Sequence, residues 1–205
     1  ALLSVPIIAG YGSAEAAHIA NNPLPPRERK VGSVGLPCGN EVKVIDAQGN
    51  TLKCGKVGEV LVRGPSVTTG YLSAPADDGS LFLDGWRRPG DQGRFDADGY
   101  LTLVGRIKQM INRGGESISP LEIQDAILTH SMVADAAVFS VPHPTLGENI
   151  AAAIVLHDGC QLSQSALRRY LASRLSAQKI PTRILELENL PTNSVGKVQN
   201  SRLAE

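Results

Sequence analysis

The chain has 205 residues, of which 42% are hydrophobic and 20% charged, and its 20 basic and 20 acidic side chains give zero net charge. This composition is typical of a globular protein with a real core in one large or two small domains. It disfavours nucleic acid or an anionic membrane as the main partner, because such partners require concentrated positive charge. No apolar run is long enough to span a membrane.

The three cysteines, Cys38, Cys54 and Cys160, match no zinc or redox spacing, which favours a reduced, cytoplasmic setting. The first residues, ALLSVPIIAGYG, lack the basic start of a signal peptide and predict a buried strand that enters a glycine turn. A buried strand is an unusual way to begin a domain, and the chain does not start with Met. We therefore expect a further segment upstream.

Strand and turn signals dominate residues 1–105. Apolar and β-branched runs predict strands at 41–46 and 58–64. The dipeptide Asp98-Gly99, between GRF and YLTLVG, predicts a β-hairpin. Helix signals are few in this half, and one predicts a short helix after Ser13.

The pattern changes near GRIKQM, at residues 105–110, where we place the domain boundary. Ser119 as N-cap and Pro120 as first residue predict a helix over 117–130. The rest of this half predicts two strands, a second helix capped by Ser163, and a third strand, at residues 133–142, 149–158, 162–180 and 182–191. The second half is therefore predicted to be a compact α+β unit of about a hundred residues.

The segment GYGSAE, residues 10–15, combines two glycines, an aromatic ring and a carboxylate. It begins like a dinucleotide fingerprint, but Glu15 stands at the third glycine position, which excludes that interpretation. Tyr11 could stack on a flat ring and Glu15 could hold a hard cation such as Mg²⁺. The alternative is a tight turn with a surface glutamate.

Two further stretches suggest ligand contacts. Asp91 in RRPGDQG could accept hydrogen bonds from sugar hydroxyls, and Arg106 in LVGRIK could add donors to the same hydroxyls or to phosphate. Alternatively, each is a turn residue or an ion-pair partner. In INRGGESISP, residues 111–120, two glycines precede a predicted helix, so backbone N–H groups there could meet an anion or an extended ligand. A plain glycine loop is the alternative.

Near the end, LPTNSVGKVQN places Lys197 behind Gly196 in a polar turn. Such a lysine is a mobile point charge with three donors. A P-loop is excluded because Val198, and not Ser or Thr, follows the lysine. A solvated loop lysine is the alternative.

In order, YGSAE, GEVLVRGPSVTTGYL, GDQGRFDADGYLTLVGRIKQMINRGGE and LPTNSVGKV resemble consecutive core motifs of the adenylate-forming superfamily. This group comprises acyl-CoA synthetases, adenylation domains of peptide synthetases and luciferases. The resemblance covers almost the whole chain, and within the group the chain is most similar to carboxylate–CoA ligases of the oxalate–CoA ligase kind. INRGGE also resembles aryl-acid-activating enzymes.

The resemblance implies an α+β fold in two parts. Residues 1–106 would be the strand-rich C-terminal subdomain of the large nucleotide-binding domain, and residues 107–205 a small mobile α+β domain with a hinge near Lys108. The family's phosphate loop and most of its acyl pocket lie upstream of YGSAE. The chain is thus expected to be the C-terminal portion of a longer enzyme and to be inactive alone.

The resemblance also implies a role for each site residue. Lys197 would be the catalytic lysine that contacts the carboxylate and the α-phosphate, and Glu15 would bind Mg²⁺. Tyr11 would stack on adenine, and Asp91 would take the ribose hydroxyls with Arg106 beside it. Gly10, Gly12 and Ser13 would also contact the nucleotide, whereas Gly114, Gly115 and Glu116 would form the loop that lines the pantetheine tunnel.

The implied activity is an AMP-forming acid–thiol ligase that uses ATP, Mg²⁺ and coenzyme A on a small carboxylic acid. Two alternatives stay open: an adenylation domain that loads a carrier-protein phosphopantetheine arm, and a non-catalytic nucleotide-binding module. Ala14, Pro89 and Asn200 replace residues common in the family, namely two threonines and an arginine. The remaining candidates for a general base, His130 and His143, are expected to have structural roles.

Overall fold

The structure of the chain is a computed structural model, which describes residues 7–70, 81–194 and 196–203. It divides into two compact units, Ala1–Lys108 and Gln109–Glu205. Most of the predicted N-terminal strand lies outside the described residues. In its described part, Ile7 is 79% exposed and precedes the first strand. No helix within the described ranges is long and apolar enough to cross a membrane.

The first unit consists of two antiparallel sheets. The smaller sheet has the order β1-β2-β3, formed by Gly10–Ser13, Ala17–Asn21 and Leu36–Pro37. The larger sheet has the order β6-β7-β5-β8-β9, with β4 also paired to β5. Its strands are β4 Glu41–Ile45, β5 Gly58–Arg63, β6 Phe82–Leu83, β7 Trp86–Arg87, β8 Asp91–Phe95 and β9 Leu101–Arg106. The strands predicted at 41–46 and 58–64 and the hairpin at Asp98-Gly99 are confirmed.

The helix predicted after Ser13 is wrong, because the chain turns there and pairs back on itself. Residues 14–16 form a turn, and β1 and β2 pair with a bulge between Tyr11 and Gly12. A Cβ at Gly12 would lie 2.3 Å from the carbonyl oxygen of Ala17, so only glycine permits this close pairing. The core of this unit lies between its sheets and includes Tyr11, Ile19, Val60, Val62 and Leu101.

The second unit is built around a five-stranded sheet of order β11-β10-β13-β12, with β14 parallel to β13. A 3₁₀ turn, Ile107–Gln109, leads into this unit, and a second 3₁₀ turn lies within it at Ala177–Lys179. The strands are β10 Ile111–Arg113, β11 Glu116–Ile118, β12 Val133–His143, β13 Gly147–Leu156 and β14 Arg183–Glu186. The helices are α1 Pro120–Leu128, α2 Gln164–Ala172 and α3 Asn200–Leu203. The α+β class predicted from the sequence is confirmed.

The central hairpin of this unit is buried on both faces. Successive residues of β12 alternate between two clusters: Ala136 and Val138 lie with α1 and α2, whereas Ala137 and Phe139 lie with Leu190 and Leu203. This alternation follows the two-residue period of a strand. It explains why both long strands have nearly continuous apolar sequences.

Both predicted helices of the second unit form, but they are shorter than the pattern suggests. Ser119 and Ser163 cap α1 and α2 as predicted, each accepting a hydrogen bond from the backbone N–H three residues on. The second helix ends at Ala172 instead of continuing to residue 180. There, Ser173 donates its hydroxyl to the carbonyl of Tyr170, which competes with the regular helix.

Candidate functional site

Asp91 lies between a tyrosine and an arginine at the start of β8. The Tyr11 hydroxyl donates to Oδ2 of Asp91 over 2.6 Å, and Nε of Arg106 lies 3.3 Å from Oδ1. Asp91 and Arg106 are direct partners in the antiparallel β8–β9 ladder, which fixes their side chains next to each other. The structure therefore brings together three residues that the sequence predicts for nucleotide binding.

The environment of this group is strongly polarised. Tyr11 and Asp91 are buried, whereas the Arg106 side chain is 64% exposed. Burial, and secondarily the hydrogen bond to Asp91, hold the pKa of the Tyr11 hydroxyl far above its ordinary value. Tyr11 is therefore a neutral donor at any physiological pH. Only a small part of its ring remains accessible, which limits the surface predicted to stack on adenine.

An open groove of about 710 Å³ runs along β1 and β2. Its lining includes Gly10, Tyr11, Gly12 and Ser13, four residues predicted to contact a nucleotide, but not Asp91 or Arg106. A Cβ on Gly10 would approach the side-chain oxygen of Asn21 to 2.2 Å. Gly12 is thus required by packing against the β2 backbone, whereas a side chain at Gly10 would have to displace the Asn21 side chain. The surface of the groove remains open to a ligand.

Glu15 lies half-buried in the turn after β1, and three residues missed by the sequence reasoning hold that turn. The backbone N–H of Thr68 donates to the Glu15 carbonyl over 2.7 Å, and the Ser66 hydroxyl donates to Ala16 over 3.0 Å. The buried Asn40 amide donates to Ala16 as well, over 3.2 Å. The motif GPSVTTGY was the available signal, since it contains both Ser66 and Thr68.

Arg87 is a second residue that sequence reasoning did not assign to the site. Arg87 is only 7% exposed and donates hydrogen bonds to the carbonyls of Leu81 and Arg88. Its positive charge lowers the pKa of the Tyr11 hydroxyl, but burial raises that pKa by more. This buried cation adds positive potential around Tyr11, where an anionic ligand could bind.

Lys108 occupies the 3₁₀ turn that follows β9. The residues from Arg106 to Gln109 are all exposed, and the Ile107 N–H donates to the Gly90 carbonyl over 2.8 Å. Short 3₁₀ segments of this kind are frequent as connectors between elements.

Gly114, Gly115 and Glu116 belong to a tight hairpin and not to a loop that leads into a helix. Arg113 pairs with Glu116, so Gly114 and Gly115 form a two-residue connection with φ of 59° and 88°. Two positive φ values are typical of a type I′ turn, which glycine adopts readily. The hairpin carries an exposed turn that other residues of the second unit hold in place.

Lys197 lies in a short loop closed by Asn193. The Lys197 N–H donates to the side-chain oxygen of Asn193 over 2.9 Å, and the Asn193 N–H donates to the Lys197 carbonyl over 2.8 Å. Gly196 adopts a φ of 79°, which favours glycine. The ammonium group is exposed and makes no hydrogen bond or ion pair with the residues that the structure describes.

The two histidines considered as general bases are bound to their own turns. Nδ1 of His130 accepts from the Met132 N–H over 3.3 Å, and Nδ1 of His143 accepts from the N–H groups of Thr145 and Leu146. Both side chains thus have structural contacts. In the described ranges, no group of three or more His, Cys, Asp or Glu side chains could hold a metal ion.

Two family models match the chain: the AMP-binding enzyme family matches residues 1–72, and the AMP-binding enzyme C-terminal domain matches residues 122–197. Among curated proteins, the chain is similar to the oxalate–CoA ligase of Saccharomyces cerevisiae, with 42% identity over 205 residues that cover 98% of this chain and 38% of that protein. The oxalate–CoA ligase of Arabidopsis thaliana is 40% identical over 202 residues, covering 98% and 39%.

Among solved structures, the chain is similar to ATP-bound MatB from Rhodopseudomonas palustris, with a TM-score of 0.89 at 32% identity. That match covers 97% of this chain and 40% of that chain. The chain therefore spans less than half the length of each of these proteins.

Proposed function

Because this chain belongs to the AMP-binding enzyme family, we propose that it forms the C-terminal part of an ATP-dependent carboxylate–CoA ligase. The observation that carries the proposal is the position of Asp91, whose two oxygens meet Tyr11 and Arg106. A carboxylate has about four lone-pair sites, so Asp91 keeps acceptors for the two hydroxyls of a ribose. Curated relatives named as CoA ligases over nearly the whole chain support the same activity.

In the first half-reaction, an oxygen of the substrate carboxylate attacks the α-phosphorus of ATP, and the bond to pyrophosphate breaks. Negative charge accumulates on the oxygens around phosphorus. The exposed ammonium of Lys197, on a loop shaped by Asn193 and Gly196, would neutralise that charge. Tyr11 and Asp91 would hold the adenosine in the meantime.

In the second half-reaction, the sulfur of CoA attacks the carbonyl carbon of the acyl-adenylate, the thiol proton is released to solvent, and the bond between the acyl group and AMP breaks so that AMP leaves. The turn Gly114–Gly115, followed by Glu116, would line the path of the pantetheine arm. We assign Lys108 as the hinge about which the small C-terminal domain, predicted at residues 107–205, rotates between the two steps, because its 3₁₀ turn is exposed.

The site also fits a magnesium ion bound together with the substrate. Mg²⁺ is usually held by one or two carboxylates plus substrate phosphates, so one half-buried glutamate, Glu15, is a sufficient protein ligand. When bound, the ion supplies charge neutralisation on the phosphates. Thr68 and Ser66 would help to orient the Glu15 carboxylate toward the ion, because their hydrogen bonds fix the turn that carries Glu15.

The test uses the complete protein and carboxylate-dependent exchange between ATP and pyrophosphate. Lys197→Ala should lower the exchange rate by roughly 100- to 1000-fold, the usual loss for one charge-stabilising donor. Lys179→Ala is the matched control, since Lys179 is the other lysine of the second unit and pairs with Glu122. Exchange at the wild-type rate in Lys197→Ala would overturn the assignment.

The acyl acceptor is tested separately with the wild-type protein. Formation of an acyl-CoA thioester from free CoA supports the ligase. Transfer of the acyl group only to a carrier-protein phosphopantetheine arm would identify the chain as part of an adenylation domain that loads a carrier protein. Saturable ATP binding without ATP–pyrophosphate exchange for any acid would favour a non-catalytic nucleotide-binding module.

A further inference from the structure

The turn Gly114–Gly115 is braced by a neighbouring turn in the second unit. The Gly114 N–H donates to the Leu146 carbonyl over 2.9 Å, and Arg113 pairs with Gly147 at the edge between β10 and β13. A Cβ on Gly114 would lie 3.4 Å from Cδ2 of Leu146. The position of the first turn therefore depends on the shape of the second.

The second turn connects β12 to β13 and is organised by one imidazole. His143 pairs with Gly147 across a three-residue connection, and Gly147 has a φ of 76°. Nδ1 of His143 accepts from the Leu146 N–H at 3.2 Å and from both the N–H and the hydroxyl of Thr145 at 3.3 Å. This one nitrogen is thus the shared acceptor for the N–H groups of Thr145 and Leu146 in the turn.

These contacts determine which nitrogen of His143 carries the proton. A backbone N–H can only donate, so Nδ1 must present its lone pair and the proton of the neutral ring lies on Nε2. The other nitrogen is then a donor and cannot remove a proton from a thiol. This argues against His143 as a general base and leaves it a purely positioning group.

We propose that His143 is a positioning residue for the thioester-forming step. It holds Leu146, and Leu146 holds the turn Gly114–Gly115 against the pantetheine arm. The inference rests on the proposed function for the identity of that step. Its structural core, the dependence of the Gly114 turn on the His143 imidazole, is independent of that function.

The kinetic test compares the two half-reactions in the complete protein. His143→Ala should lower kcat/KM for CoA by roughly 10- to 100-fold, the scale expected when a binding element shifts by about 1 Å. ATP–pyrophosphate exchange should stay within about twofold of wild type, because Gly114 acts after adenylate formation. His143→Asn should restore most of the loss, since its side-chain oxygen can accept from the same N–H groups.

The matched control is His130→Ala. His130 also accepts a backbone N–H through Nδ1, but it lies just before the opposite end of β12. The His130→Ala variant should catalyse both half-reactions at the wild-type rate. Equal losses in the two half-reactions of His143→Ala, or an asparagine variant as poor as the alanine variant, would overturn the proposal.

A second readout does not depend on activity. Amide hydrogen exchange at Gly114 should be faster by on the order of tenfold in His143→Ala, and unchanged in His130→Ala, because loss of the turn weakens the bond to Leu146. Unchanged exchange at Gly114 would refute the positioning role. If the wild-type protein makes no thioester, that result counts against the proposed function. The exchange rate at Gly114 would then still decide whether His143 positions the Gly114–Gly115 turn.

Discussion

The Tyr11 hydroxyl donates a 2.6 Å hydrogen bond to Asp91, and this bond joins β1 of the smaller sheet to β8 of the larger one. The two residues are 80 positions apart in sequence and are both buried. Because one oxygen of Asp91 is fixed from the buried side, its remaining acceptors have a defined direction. The bond therefore connects the stability of the first unit with the geometry proposed for ribose binding.

Tyr11→Phe keeps the ring and removes the donor from a buried carboxylate. We expect a loss of about 2 kcal/mol in the free energy of unfolding, because hydrogen bonds to charged groups are worth more than neutral ones. Urea unfolding of the complete protein measures it. Tyr100→Phe is the control: Tyr100 is also buried but donates to a neutral carbonyl, that of Glu28, at 2.6 Å, so its loss should be about 1 kcal/mol. Equal losses would contradict the charge-assisted bond.

The raised pKa of Tyr11 predicts a dependence of stability on alkaline pH. The unfolded tyrosine titrates near 10 and the folded one well above it, so above about pH 10 the unfolded chain binds fewer protons than the folded chain. The stabilisation is fully present below pH 10 and falls as the pH rises toward the folded pKa, by about 1.4 kcal/mol per pH unit. Unfolding titrations from pH 8.5 to 11 should show no contribution from Tyr11 below about pH 10 and this slope above it in wild type, and the slope should be reduced in Tyr11→Phe.

Arg106→Gln should separate binding from stability. The Arg106 side chain is 64% exposed and its contact to Asp91 is 3.3 Å long, and such surface pairs contribute about 0 to 1 kcal/mol to stability. Loss of a charged donor beside the ribose site should raise KM for ATP in the exchange assay by about tenfold.

The control for this change is Arg63→Gln, which removes an exposed arginine of the same unit that pairs with Glu41. KM for ATP should not change in that variant. An Arg106→Gln protein with wild-type KM would remove Arg106 from the proposed site, and a loss of stability far above 1 kcal/mol would mean that the ion pair is structural.

Elements with a strong local pattern could be predicted from the sequence. Ser119 and Pro120 marked the start of α1, and the apolar runs of β12 and β13 marked the central hairpin, because caps and strand periodicity act within a few residues. The end of α2 at Ala172 could not be read in the same way. The leucine spacing continues beyond it, whereas the hydroxyl of Ser173 competes for the Tyr170 carbonyl.

The site was predictable as a set of residue types and not as a geometry. The motifs carried Tyr11, Asp91 and Arg106, but their contacts depend on how two sheets pack, which no local pattern encodes. The same holds for Asn40 and Ser66, whose hydrogen bonds to Ala16 hold the turn of Glu15 across 24 and 50 residues of sequence. Positions that support a site through long-range contacts require the folded structure.

The turn Gly114–Gly115 allows a test of whether its exposed surface lines the CoA path. Asparagine tolerates positive φ and valine does not, so Gly114→Asn should change the free energy of unfolding by less than about 0.5 kcal/mol, whereas Gly114→Val should lose about 2 kcal/mol. Both side chains would project from the turn, and the nearest described atom to a Cβ there is Cδ2 of Leu146, at 3.4 Å.

Gly114→Asn is thus a steric probe on an unstrained backbone. We expect it to raise KM for CoA by roughly tenfold while ATP–pyrophosphate exchange stays at the wild-type rate, because the added side chain narrows a path used only after adenylate formation. Gly159→Asn is the control, since Gly159 also has a positive φ, of 76°, and lies in the turn after β13 with open space around it. Wild-type KM for CoA in a stable Gly114→Asn protein would show that the pantetheine arm passes elsewhere.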